Sequence, residues 1–430
     1  MVTDLALQRS KYKHLSDEEW RWFLQQVEGR ERTADKLPTF AAIDDWWYPV
    51  RLSCEQCSSE LTARYKASLL SPLALGEGKG ERFLDLTGGY GVDTFFLSEH
   101  FAHTDYVEQN AELCRIAAHN FALSQKLSIA VHNTTAEDFL LSSPCAGEEL
   151  CSIGLPVAVR RTPPGWGLIF LDPARRDSHG GKVFKLADCT PNVVELLPAL
   201  LDRLAPDGRI MLKLSPMLDI TQALKELQTP PNLPSREEII WSVHIVAVKN
   251  EVKEVLLLSQ CLKAPINDQV VNDQMVNNPM VNDQMVNCID LSRPEQAFSF
   301  TRDEEKEALC PPLEGELEGV FLFEPNAAIL KAGAYKLIAQ RFGLRKLDTN
   351  THLYVSDTLV ENFPGRVWRI NDHMVNAKMV NGQMANVLCR NYPLTAEQLK
   401  KKLRLRDGGT AFVIGCRVAG KPTLFLAERL

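Results

Sequence analysis

The sequence predicts an α/β fold built on a mostly parallel sheet, with a helical N-terminal region and C-terminal α+β domains. Three observations predict it. From Glu81 onward, short apolar runs alternate with helical stretches, as in a parallel sheet covered on both faces. The stretch Arg82-Phe-Leu-Asp-Leu-Thr-Gly-Gly-Tyr-Gly-Val-Asp93 reads as a buried strand, a glycine turn and a helix start. The next strand, Asp105-Tyr-Val-Glu108, ends in an acid twenty residues past Gly88. A carboxylate there can accept hydrogen bonds from both hydroxyls of a ribose.

The elements follow in order. Residues 1–80 read as helical. Ser16 caps the first helix and Glu19 completes a capping box. A second helix spans 60–70, and Leu75-Gly-Glu-Gly-Lys-Gly80 links it to the sheet. Strands are expected near 82–87, 104–108, 128–132, 167–172 and 208–214. Helices are expected near 92–100, 110–122, 136–141, 190–204 and 219–228. The apolar run Gly167-Leu-Ile-Phe-Leu171 empties into Asp172-Pro-Ala-Arg-Arg176, at the strand end where open α/β sheets bind substrates. Residues 238–248 and 251–259 read as a hairpin turning at Lys249-Asn250. Beyond Val320 the pattern gives a strand, a helix over 326–340, strands near 352–355, 366–370 and 386–389, a helix over 395–403, and strands at 411–417 and 422–427.

A seven-residue unit repeats: Val271-Asn-Asp-Gln-Met-Val-Asn277, then Val281-Asn-Asp-Gln-Met-Val-Asn287. A related copy stands at Met374–Met384. Two or three copies split across the chain cannot build a solenoid, so they read as insertions in surface loops.

Composition sets the class. The 430 residues are 45% hydrophobic and 24% charged, ordinary for a globular protein of several domains. No run approaches the roughly 20 apolar residues of a membrane span, and the N-terminus lacks the features of a signal peptide. Eleven scattered cysteines give one Cys-x-x-Cys pair, Cys54 and Cys57, with no second pair to complete a metal site. No metal and no membrane partner are expected, and the cytoplasm is the expected compartment. Net charge is −7, unevenly spread. Residues 320–430 carry seventeen Lys+Arg against eight Asp+Glu, net +9, which leaves −16 on the rest. A basic C-terminal module on an acidic body suggests a polyanion partner. Lys400, Lys401 and Arg404 are the candidate contacts: at helical spacing Lys401 and Arg404 share a face, with Lys400 alongside.

These motifs carry a family resemblance. Asp85-Leu-Thr-Gly-Gly-Tyr-Gly91, Glu108 and Asp172-Pro-Ala-Arg175 resemble the class I S-adenosylmethionine-dependent methyltransferases. Glu55–Glu60, Leu171–Asp177, Lys213–Asp219 and Glu324–Lys331 resemble the bacterial members that carry a ferredoxin-like module and a C-terminal THUMP-like domain. The resemblance implies a Rossmann-like sheet and S-adenosylmethionine as cofactor. It divides the chain into a helical region 1–80, the cofactor-binding domain 81–235, a ferredoxin-like module 236–318 with repeat insertion 266–287, and a THUMP-like RNA-binding domain 319–430 with insertion 372–385. It implies that Asp85, Thr87, Gly88, Gly89, Gly91 and Asp172 line the cofactor and that Glu108 binds its ribose. The position that usually holds an adenine-contacting Asp is Thr135, so Thr135 and Ala136, or Glu137 or Asp138, take that place. Asp172 and Pro173 correspond to the residues that hold an exocyclic amine in amino-group methyltransferases. Ala174 and Arg175 replace the second proline and the stacking aromatic. Arg175 or Arg176 is then left to stack or to grip a phosphate. Residues 56–60 either cap a helix or close over the cofactor.

The implied function is methylation of a nucleotide in tRNA or rRNA, with Asp172, Pro173 and Arg175 at the chemistry. The alternatives are a catalytically silent RNA-binding protein and a methyltransferase acting on a protein or small molecule. A nucleotide-dependent oxidoreductase would want a third glycine, but Val92, Asp93 and Thr94 follow Gly91.

Overall fold

The computed structural model describes residues 9–70, 82–126, 128–142, 165–174, 185–228, 239–261, 284–310, 320–373 and 377–430. Two compact units emerge: Met1–Trp241 with Leu256–Val271, and Ser242–Val255 with Asn272–Leu430.

The first unit opens with four helices: α1 (Asp17–Thr33), α2 (Pro38–Ala41), α3 (Arg51–Gln56) and α4 (Glu60–Ser68). The Ser16/Glu19 capping box is present in full. The sheet follows: β1 (Arg82–Asp85), α5 (Val92–Leu97), β2 (His103–Glu108), α6 (Ala111–Leu123), β3 (Ile129–Asn133) and α7 (Ala136–Ser142). Next come β4 (Trp166–Leu171), α8 (Val193–Leu201), β5 (Leu204–Leu214) and α9 (Ile220–Gln228). The strands run in the order β3-β2-β1-β4-β5, and every pair is parallel. The order reverses between β1 and β4, and that switch point opens a crevice beyond their carboxyl ends. All six residues of β4 are buried, which is why it reads as an unbroken apolar run. One core lies under α2, α4 and α6 and gathers Phe40, Trp46, Tyr90, Phe96, Tyr106 and Phe121. Another packs Phe83, Leu97, Leu168, Phe170 and Met211 against Leu70.

The hairpin strands β6 (Ile239–Val248) and β7 (Glu251–Cys261) turn as expected at Lys249 and Asn250, whose φ values are +53° and +62°. In the second unit β6 pairs in parallel with β8 (Met285–Asp290), which pairs antiparallel with β9 (Phe298–Thr301). Strand β8 corrects the loop reading of 266–287. The end of the second repeat, Met285-Val-Asn287, is its first half, and Val286 and Cys288 are buried. Val and Cys at alternate positions suit a one-sided strand, and β6 supplies its partner. A deletion of 268–286 therefore cuts into the sheet. The preceding repeat residues, to 283, lie outside the described residues.

Then come α10 (Arg302–Glu307), β10 (Phe321–Pro325), α11 (Ala327–Ala332), α12 (Leu337–Phe342), β11 (Arg345–Asp348), β12 (Thr351–Ser356) and β13 (Gly365–His373). The chain ends with α13 (Ala377–Val380), β14 (Asn386–Arg390), α14 (Ala396–Leu403), β15 (Ala411–Val418) and β16 (Lys421–Arg429). A seven-stranded sheet runs β11-β12-β10-β13-β16-β15-β14, antiparallel except for β14/β15. The single helix expected over 326–340 is two. Gly333 ends α11 at φ +80°, and the Glu305 carboxylate accepts the N–H groups of Tyr335, Lys336 and Leu337 at the start of α12. The third repeat copy is likewise not all surface loop. Val380 of α13 is buried with Leu399 and Leu403.

Candidate active site

A cavity of about 380 Å³ lies at the switch point between β1 and β4. It is within the roughly 300–1,000 Å³ of small-molecule sites. Asp85, Leu86, Thr87, Gly88, Gly89 and Tyr90 of the first turn line it, as do Glu108 from the end of β2, Thr135, and Ala136 and Glu137 at the start of α7. Asp172 and Ala174 enter from the end of β4, and Lys213 from β5.

The glycine turn is shaped by what it must approach. Gly88 lies flat on a buried ring: a Cβ there would stand 2.1 Å from the Tyr106 ring. Gly89 has φ +56°, and a Cβ would meet nothing nearer than Thr87 O at 3.8 Å. Its edge toward the cavity is therefore bare. The Gly89 N–H donates to Glu108 Oε2 at 2.9 Å, and Asn110 N–H donates to Oε1 at 2.8 Å. Those bonds stand Glu108 beside the loop with the remaining oxygen lone pairs available. Gly91 does not line the cavity. At φ +82° it caps α5, and a Cβ would press on Phe121 at 2.9 Å.

Asp172 is fixed at both ends. Its N–H donates to Thr87 Oγ1 at 2.6 Å, and its carboxylate takes Lys213 Nζ at 2.5 Å. The residue-174 backbone is tied to Thr190 by two hydrogen bonds, which brings Thr190 and Pro191 to the cavity wall. Pro173 is buried and does not line the cavity, and Arg175 and Arg176 lie outside the described residues.

Beneath Asp172 lies a charged network of which sequence reasoning found Lys213 but missed Lys66 and Asp93. Lys213 Nζ also approaches Asp93 Oδ2 at 3.5 Å. Asp93 accepts Lys66 Nζ at 3.0 Å and Ser58 Oγ at 2.7 Å. Lys66 is fully buried on α4, a helix that reads from sequence as merely amphipathic. Burial opposes charge on Asp93, but Lys66 and Lys213 together hold its carboxyl below the usual range. Ser58, with Gln56 and Cys57, lines the cavity, while Ser59 caps α4. The capping reading of the 56–60 segment therefore holds, and the same segment forms one wall of the cavity. The signal for the network was Asp93 itself, an acid in the first turn of a helix whose other described residues are all apolar or Thr.

Asp85 behaves differently. Burial, helped by the charges of Asp93 and Asp172 and opposed by hydrogen bonds from Thr94 and Thr87, pushes its carboxyl up to about 7. Because the folded value lies above the unfolded one of about 3.9, the protonated group stabilises the fold at acid pH. That contribution is complete below about pH 4 and is lost as pH rises through about 7. Asp85→Asn should remove a slope on the order of 1 kcal/mol per pH unit from unfolding free energy across that window, read by urea titrations at several pH values. An unchanged slope would mean the Asp85 carboxyl is ionised throughout.

In the second unit, the basic face expected on α14 is reorganised. Lys400 pairs with Asp407, and Arg404 is the left-handed cap at φ +55°, so it does not continue the helical row of Lys401. Among the described residues, no group of His, Cys, Asp or Glu is arranged to hold a metal ion, and no helix is long and apolar enough to cross a membrane.

Two family models match the C-terminal part: a ferredoxin-like domain at 321–364 and a THUMP-like domain at 365–429. The ferredoxin-like match falls later in the chain than the 236–318 expected for it. A crystal structure from Porphyromonas gingivalis W83, described as that of a candidate methyltransferase, matches with a TM-score of 0.71 and 28% identity. The match covers 96% of this chain and 92% of that one. An rRNA methylase from Streptococcus thermophilus is 14% identical, with a TM-score of 0.31, over 46% of this chain and 97% of that one. A tRNA (m1A58) methyltransferase from Aquifex aeolicus is 14% identical, with a TM-score of 0.29, over 49% and 71%. Comparison with curated proteins finds no match. The chain thus combines a class I methyltransferase fold with ferredoxin-like and THUMP-like domains, as its motifs imply.

Proposed function

We propose that the protein is an S-adenosylmethionine-dependent methyltransferase whose substrate is a nucleotide of tRNA or rRNA. One observation carries the reading. The bare glycine edge, the Glu108 carboxylate and the Lys213-anchored Asp172 converge on one cavity at the switch point of a parallel sheet. These residues fit the cofactor. Gly89 leaves room along the loop, and Glu108 offers acceptors where a ribose would lie. Thr135, Ala136 and Glu137, on the same wall, are the contacts this reading gives to the adenine.

Bound S-adenosylmethionine would supply an electrophilic methyl group on a sulfonium centre. The protein's part is placement. Asp172 accepts an N–H of the incoming nucleophile and aims its lone pair; Lys213 stops the carboxylate from turning away. Such transfer needs alignment more than proton relay, so fixing one acceptor matters more than a strong base. The THUMP-like match and the net charge of +9 over residues 320–430 support RNA as substrate.

Glu108→Ala should weaken S-adenosylmethionine binding by about 1.5–3 kcal/mol, the range for hydrogen bonds to a charged group. Isothermal calorimetry reads it. Equal affinities in the two proteins would remove Glu108 from the cofactor site and take the main support from the reading.

A further inference from the structure

The second unit contains a cavity of about 220 Å³ walled by Arg293, Arg366 and Arg429, with Gln296, Phe363 and Leu430 between them. We propose that it is a phosphate subsite that grips the backbone of a single-stranded polynucleotide. The inference rests on the reading that the protein acts on RNA, but the site is argued from its own geometry.

Three separate elements bring the arginines together. Arg429 of β16 stands directly opposite Trp368 of β13. Opposed residues share a face of the sheet, and Arg366, two residues before Trp368, lies on that same face. Arg293 comes from the turn after β8, where its N–H closes on Asp290 O at 2.8 Å. Among the described residues, the side chains of Arg293 and Arg429 have no hydrogen-bond or ion-pair partner.

Arg366 is held differently. Its guanidinium meets Glu324 Oε2 at 2.6 Å, directly across from β10, and Arg390 takes the other oxygen at 2.5 Å. Glu324 is only 2% exposed, so one buried carboxylate serves two arginines and leaves a net positive charge beside the cavity. A buried acid fixes Arg366 as part of the wall, and Arg293 and Arg429, with no carboxylate paired to either among the described residues, complete it. Planar forks of this kind match the oxygens of a phosphate.

The test compares wild type with Arg293→Gln/Arg429→Gln, leaving Arg366 and its buried partner intact. Filter binding of a ten-nucleotide oligouridylate at several salt concentrations should show affinity on the order of tenfold lower for the variant. Its salt slope should be shallower by roughly 1.4, two contacts at about 0.7 each on a single strand. Equal affinities and slopes would overturn the proposal. A calorimetric titration with inorganic phosphate separates the site from the RNA reading. Phosphate bound by wild type and lost in the variant, with no oligonucleotide bound by either, keeps the anion site and rejects the polynucleotide. Tight binding of an oligoglutamate peptide instead, lost in the same variant, would replace phosphate by carboxylate and overturn it.

Discussion

Asp172→Ala should lower methyl transfer by on the order of 10²- to 10³-fold, the usual cost of removing one fixed hydrogen-bonding group from a reacting centre. The fall should lie in kcat, because Asp172 touches the incoming nucleophile rather than the bulk of the cofactor. Cofactor affinity and melting temperature should stay close to wild type. The carboxylate is partly exposed, and its removal leaves Lys213 beside Asp93, so no charge is stranded. Asp172→Asn should retain more activity than Ala, since an amide oxygen still accepts an N–H. Kinetics with labelled cofactor and RNA decide the matter. Full activity in the Ala variant would exclude Asp172 from the chemistry.

Lys66→Met should cost about 3–5 kcal/mol of stability, the effect of removing one partner from a buried pair. The side chain is fully buried and sits 3.0 Å from Asp93, whose charge would lose its nearest cation. Lys213, at 3.5 Å, cannot replace it without loosening its hold on Asp172. The variant should therefore lose activity as well as stability. Adding Asp93→Asn should restore much of the stability, because it removes the stranded charge, but not the activity. Urea unfolding of the two singles and the double gives the coupling energy. Additive losses would mean that Lys66 and Asp93 act independently.

Much of the first unit was legible because its signals are local. The five parallel strands fall within a few residues of the apolar runs that predict them, and Gly88, Gly89 and Glu108 stand together as their spacing requires. Tertiary partners hid the rest. Lys66 lies on a helix whose sequence gives no sign of a buried ammonium; its partners, Asp93 and Ser58, come from other parts of the chain. Gly91 looks like a ligand-facing glycine, but its turn serves α5 and Phe121. Met285-Val-Asn287 looks like repeat filler until β6 and β9 flank it. The restart of the helix after Gly333 depends on Glu305, some thirty residues earlier. The basic residues around α14 were counted correctly, yet Asp407 and the cap at Arg404 redistribute them.

The central claim is that this cavity moves a methyl group from S-adenosylmethionine to RNA. The most direct measurement incubates purified protein and methyl-labelled S-adenosylmethionine with total RNA from a strain lacking the gene and from its parent. The account predicts label in the RNA of the deletion strain, little in parental RNA already modified at that position, and none with Asp172→Ala. No label in either RNA, with cofactor bound normally, would contradict it.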